Sequence, residues 1–146
     1  MAGNNLALYS RVGAVGWTPT GTAANTAKDG TGTVATVFTA DATNGGRVER
    51  IRFMALGANV ATVARIFINN GSVNTTAANN SLIAEITLPA TTLSQTAAVL
   101  LQELPQIGGA DQTSFPFVLP PGYKINVTIG TAVATGYAVT VFGGAY

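Results

Sequence analysis

Hydrophobic and polar residues alternate in short runs along most of this chain, and turn residues separate the runs. Period-two alternation is the mark of a strand with one buried face. Thr33 to Ala40 is a β-branched run of this kind. In Arg47 to Leu56, Ile51, Phe53 and Ala55 share one face, and Arg50, Arg52 and Met54 share the other. Val60 to Asn69 sets Val60, Thr62, Ala64, Ile66 and Ile68 against Ala61, Val63, Arg65 and Phe67. The two runs read as neighbouring long strands joined at Gly57-Ala58-Asn59, and Asn69-Asn70-Gly71 closes the second with a turn.

The alternation continues beyond a polar loop at Ser72 to Asn80. Leu82, Ala84, Ile86 and Leu88 are expected to point inward, with Ile83, Glu85 and Thr87 outward, until Pro89 stops the strand. Thr91 to Leu104 is ambiguous. Ser94 suits the cap of a short helix, but the surrounding strands favour a strand over Ala98 to Leu104. After a loop at Pro105 to Ser114, Phe115 to Leu119 and Tyr123 to Ile129 flank a Pro120-Pro121-Gly122 turn, with Tyr123, Ile125, Val127 and Ile129 inward. Tyr137 to Phe142 is the last strand. About eight short strands separated by turns predict an all-β, antiparallel sandwich, with a jelly roll as the expected topology.

The opening segment breaks this rhythm. Residues 1–32 read as an arm, with a short strand at Leu6, Leu8 and Val12 and then a loop from Gly13 to Gly32. This arm is expected to lie on the domain or on a neighbour, and residues 33–146 form the sandwich within a single domain. Trp17, the sole tryptophan, either tucks onto its own domain or anchors an adjoining subunit.

Composition narrows the function classes. Charged residues are 9% of the chain and the net charge is +1, against about a quarter charged in an ordinary domain. So few charges protect a surface weakly against association, which points to faces covered by partners. They also argue against nucleic acid. The sequence has no cysteine and no histidine, which removes disulfides, thiolate chemistry and the commonest general base and metal ligand. No run of apolar residues is long enough for a membrane-spanning helix, and the N-terminal residues lack the pattern of a signal peptide, so no membrane partner is expected and synthesis is placed in a cytoplasm.

Little chemistry remains. Glu85 and Glu103 sit on expected strands, but nothing in the sequence makes them a catalytic pair. The Asp29 and Asp41 turns hold one carboxylate each, too few for a calcium loop. No enzymatic activity, cofactor or metal is expected. Among four tyrosines, a sugar-stacking platform is an alternative to ordinary packing. The stretch Gly45 to Gly71 carries four of the seven basic residues, Arg47, Arg50, Arg52 and Arg65. They serve either as cross-strand partners of Glu49, Glu85 or Glu103, or as bidentate contacts to carboxylates of another subunit. With Trp17 they are the candidate interface residues.

These residues also carry a resemblance. Arg50-Ile51 leading to Ala55 and Gly57, then Arg65, Phe67-Ile68 and Gly71, then the Leu119-Pro120-Pro121-Gly122-Tyr123 turn, then Gly143-Gly144-Ala145-Tyr146, is similar to a pattern in small structural proteins of tailed bacteriophages. The resemblance covers about residues 33–146 and contains no catalytic motif. It implies a jelly-roll or sandwich virion protein on the capsid surface, assembled in the host cytoplasm. The implied role is capsid decoration or cement, as a homotrimer bridging major capsid protein subunits. The alternatives are a tail, fibre or spike component that recognises host glycans, and a carbohydrate-binding module.

Overall fold

The computed structural model describes residues 12–99, 101–105 and 115–146. They form nine strands: β1 (Val12–Pro19), β2 (Ala35–Thr39), β3 (Gly46–Ala55), β4 (Thr62–Asn69), β5 (Asn80–Leu88), β6 (Gln102–Leu104), β7 (Phe117–Leu119), β8 (Lys124–Ile129) and β9 (Tyr137–Ala145). The one helical element among the described residues is a single 3₁₀ turn, Ala77–Asn79.

Two antiparallel sheets pack face to face. The first has the order β1-β9-β3-β6, with β7 also paired to β3, and the second has the order β2-β8-β4-β5. Strand pairs are nested: β1 with β9, β2 with β8, β3 with β6 and β7, and β4 with β5. This is one long hairpin, closed at β4 and β5, rolled up so that its nested pairs alternate between the two sheets, which is the jelly-roll order. The edge of the first sheet beside β3 is made by two short strands, β6 on Ile51 to Phe53 and β7 on Gly46 to Val48.

The core follows the alternation. Val48, Ile51, Phe53, Val139 and Val141 from the first sheet meet Ala64, Ile66, Ile86, Leu88, Ile125, Val127 and Ile129 from the second, all essentially buried. Burying each large aliphatic side chain stabilises the fold by about 1.5–3 kcal/mol before entropy is counted. Val48 and Ile51 are three residues apart yet both point inward, because β3 shifts register against β9 between Val48 and Arg50. Such a bulge inserts one extra residue and resets the phase of the strand. Gly143 sits opposite Val48, where a Cβ would stand 1.9 Å from the Arg47 carbonyl oxygen, so the bulge requires glycine there.

Several expectations are corrected. Gly13 to Pro19 is strand rather than loop: β1 begins at Val12, and its register with β9 runs without interruption from Val12↔Ala145 to Pro19↔Ala138. The expected Leu6–Leu8 strand lies outside the described residues, as does most of the Pro105–Ser114 loop. β3 and β4 are consecutive but not neighbours; each belongs to a different sheet. In β5 a register shift between Ile66 and Phe67 of β4 turns Leu82 outward and packs Ile83 against the core. The Ala98–Leu104 strand contracts to Gln102–Leu104, and Ser94 receives the Thr96 and Ala97 N–H groups without starting a helix.

Candidate interface on the first sheet

The two outer faces of the sandwich differ. That of the second sheet is partly covered by its own loops. Phe67 lies on it and is fully buried, outside the main core. On either side of Phe67 along β4, Asn69 donates to Asn80 Oδ1 at 2.8 Å, and Arg65 donates from Nη1 to the Asn25 carbonyl at 3.0 Å. Asn74 donates to the Gly30 and Gly32 carbonyls, tying the loop after β4 to the loop before β2.

The outer face of the first sheet has no such cover among the described residues. Register sets its rows. Val15, Phe142 and Arg50 form one row across β1, β9 and β3; Trp17, Thr140, Arg52 and Glu103 form the next; Pro19, Ala138 and Met54 form a third. Val118 of β7 stands beside Arg47. Trp17 is 73% exposed, and Val15, Met54 and Val118 are exposed too. An antiparallel sheet facing water ordinarily presents polar side chains there. Here most of the side chains are apolar residues and arginines, with Thr140 and Glu103 among them.

β1 explains why the sequence concealed this. Its inward positions, Ala14, Gly16 and Thr18, are small, and its outward positions, Val15, Trp17 and Pro19, are large and apolar. The usual amphipathic pattern is reversed. Gly16 shows the cause: a Cβ there would come within 2.2 Å of the Val37 carbonyl oxygen, so β1 runs too close to β2 for a side chain.

The arginines of this face are gathered around Phe142 and Glu103. The Arg50 guanidinium carbon stands 4.2 Å from the Phe142 ring centroid and that of Arg52 stands 5.2 Å away, within cation–π range. Nε of each lies 3.6 Å from Glu103 Oε1. Arg47 Nε lies 3.7 Å from Glu49. At these separations the ion pairs are charge contacts without hydrogen bonds, and Arg47 Nε, Arg52 Nε and Glu103 Oε1 are buried without hydrogen-bond partners among the described residues. Two guanidiniums share one carboxylate, so among the described residues one positive charge of this cluster has no acidic partner of its own.

Arg65 does not belong to this cluster. It lies on β4 in the opposite sheet, its side chain 12% exposed, with Nε donating to Glu85 Oε1 at 2.8 Å. Lys28 approaches the same carboxylate at 3.6 Å. The Arg65 hydrogen bond, aided by the charges of Lys28 and Arg65, holds Glu85 below the usual carboxylate range, against partial desolvation. Of the five sequence-derived candidates, the fold therefore brings Trp17, Arg47, Arg50 and Arg52 to one face and sends Arg65 to the other. Phe142, Val15, Met54 and Val118 complete the face; Phe142 was legible only as a strand residue.

The acidic residues take structural places. Glu85 and Glu103 lie in different sheets and are each matched to arginine. Asp29 Oδ1 receives the Thr31 hydroxyl and N–H, and Asp41 Oδ1 receives the N–H groups of Asn44 and Thr43. These bonds lower both carboxyls from their ordinary values. Among the described residues no group of three or more His, Cys, Asp or Glu side chains is placed to hold a metal ion. No helix among them is long and apolar enough to cross a membrane. Comparison with protein-family models, curated proteins and solved structures gave no match to this chain.

Proposed function

We propose that this chain is a non-enzymatic structural protein of a bacteriophage virion, of the capsid decoration or cement type. In this reading it assembles as a homotrimer and bridges major capsid protein subunits, and the outer face of the first sheet is the surface it uses. One observation carries the reading: among the described residues that face is uncovered, and it is apolar around Trp17 and the Arg50–Phe142–Arg52 cluster, while the other outer face is partly covered by the chain's own loops. Exposed apolar surface of this kind marks interaction sites, and tryptophan and arginine dominate binding energy where subunits meet. The low charge of the chain supports the same reading, since a surface with few charges does little to oppose association. The resemblance of the residue pattern to that of phage structural proteins suggests the virion context.

Quantitative mass spectrometry of purified particles tests the role. Hundreds of copies per particle are expected of a decoration protein. A few copies per particle would move the chain to the tail or spike, and absence from particles would end the virion reading.

A further inference from the structure

The second sheet carries a separate feature, a cleft of about 290 Å³ between the loop after β4 and the strands β2 and β8. Its floor is Thr36, Lys124, Asn126 and Asn69, and its wall includes Ser72 and Asn74. Registers place these floor residues together: Thr36 pairs with Asn126 across β2 and β8, and Lys124 pairs with Asn69 across β8 and β4.

Some of its polar groups are used to build the cleft. Asn69 donates to Asn80 and accepts from the Gly71 N–H at 2.9 Å. Asn126 Oδ1 accepts the Thr36 hydroxyl at 2.8 Å, and the Asn74 amide nitrogen is spent on the Gly30 and Gly32 carbonyls. Those bonds hold Asn126 and Asn74 in fixed orientations. The remaining groups are unspent among the described residues: the Lys124 ammonium has no acidic partner within 4.0 Å, and the Asn126 Nδ2, the Ser72 hydroxyl and the Asn74 Oδ1 make no side-chain hydrogen bond. Asn126 is almost fully buried, so its orientation is set by the sheet.

We infer that this cleft binds a single sugar unit bearing one carboxylate, a uronic-acid type of residue. The volume is at the lower end of that for small-ligand pockets. Amide and hydroxyl groups that can both donate and accept suit vicinal sugar hydroxyls. One uncompensated ammonium suits one carboxylate. A phosphate dianion is a poorer match, because it calls for more than one cation and the described lining supplies only Lys124. The inference stands apart from the proposed virion role and uses none of the residues of the first-sheet face.

The test is an NMR titration of the ¹⁵N-labelled chain with sodium glucuronate, glucose and sodium acetate. Glucuronate is expected to shift the amide signals of Ser72, Asn74, Lys124 and Asn126 saturably, with glucose and acetate each binding about tenfold or more weakly. Lys124→Gln, at a partly exposed position, is expected to reduce glucuronate binding about tenfold, the size expected for loss of one charge-assisted hydrogen bond. Asn126→Ala is expected to weaken glucose and glucuronate alike; if it fails to fold, Lys124→Gln still decides. The inference is overturned if glucuronate leaves these signals unmoved, if acetate binds as well as glucuronate, or if Lys124→Gln changes nothing.

Discussion

Arg50 of β3 and Phe142 of β9 are cross-strand partners, and the guanidinium carbon lies 4.2 Å from the centre of the ring. The pair exists because the bulge at Glu49 shifts the phase of β3 so that Arg50 faces out beside Phe142 while Val48 and Ile51 both stay in. A core device thus positions a surface cluster. An exposed cation–π pair contributes about 0.5–1 kcal/mol. A double-mutant cycle with Arg50→Ala and Phe142→Ala, read by urea unfolding, is expected to give a coupling of about that size. A coupling of zero would mean that the two side chains do not interact in solution.

Arg50 and Arg65 are both strand arginines, but their environments differ. Arg65 is largely buried and hydrogen-bonded to Glu85 and to the Asn25 carbonyl. Arg65→Ala removes two hydrogen bonds made by a charged group and is expected to cost about 1–3 kcal/mol. Arg50→Ala with Arg52→Ala removes partly exposed charge contacts at 3.6 Å that lack hydrogen bonds, together with the cation–π contacts to Phe142, and is expected to cost about 1 kcal/mol in total, less per arginine than Arg65→Ala. Chemical denaturation of both variants checks the contrast. Equal losses per arginine would contradict the assignment of Arg65 to internal structure.

Asn59 ties the β3–β4 connection to the β8–β9 loop. Its Nδ2 donates to the Gly136 carbonyl at 2.9 Å, and its Oδ1 accepts from the Thr135 N–H at 2.8 Å and the Gly136 N–H at 3.1 Å. The side chain is buried. Asn59→Ala strands several buried backbone groups and is expected to destabilise the fold by about 3 kcal/mol. A thermal unfolding midpoint unchanged from the parent would rule out this role.

Acid should weaken the fold through Glu85. The unfolded carboxyl takes up its proton at an ordinary value, and the folded one only at lower pH. Between those points the unfolded chain binds more protons, so stability present above the ordinary carboxylate range is lost as pH falls through it. Asp29 and Asp41 act with the same sign. Unfolding free energy measured from neutral to acid pH is expected to decline, and Glu85→Gln is expected to flatten the slope.

The sequence was informative where one face is core and the other is solvent. Ile51, Phe53, Ala64, Ile66, Ile86 and Val127 could be placed by alternation alone, and the all-β class followed from them. Strand order could not be read in this way, because nested pairings join residues as far apart as Val12 and Ala145. That is why β3 and β4 looked like neighbours and Arg65 seemed to join Arg50 and Arg52. Bulges hid the phase of β5 at Ile83, since one inserted residue inverts everything before it. β1 was missed because Ala14 and Gly16 are inward and Trp17 outward, the reverse of a solvent-facing strand. Trp17 and the arginines on Gly46 to Ala55 were legible as candidates, but Phe142, the residue they gather around, carried no signal of its own.

Sedimentation velocity over a concentration series tests the first-sheet face most directly, comparing the purified chain with a Trp17→Ala, Arg50→Ala, Arg52→Ala variant. The parent chain is expected to associate as concentration rises, and the variant to stay monomeric with a similar thermal midpoint. A parent chain that is monomeric throughout, or a folded variant that associates as strongly as the parent, would contradict the claim that this face is the assembly surface.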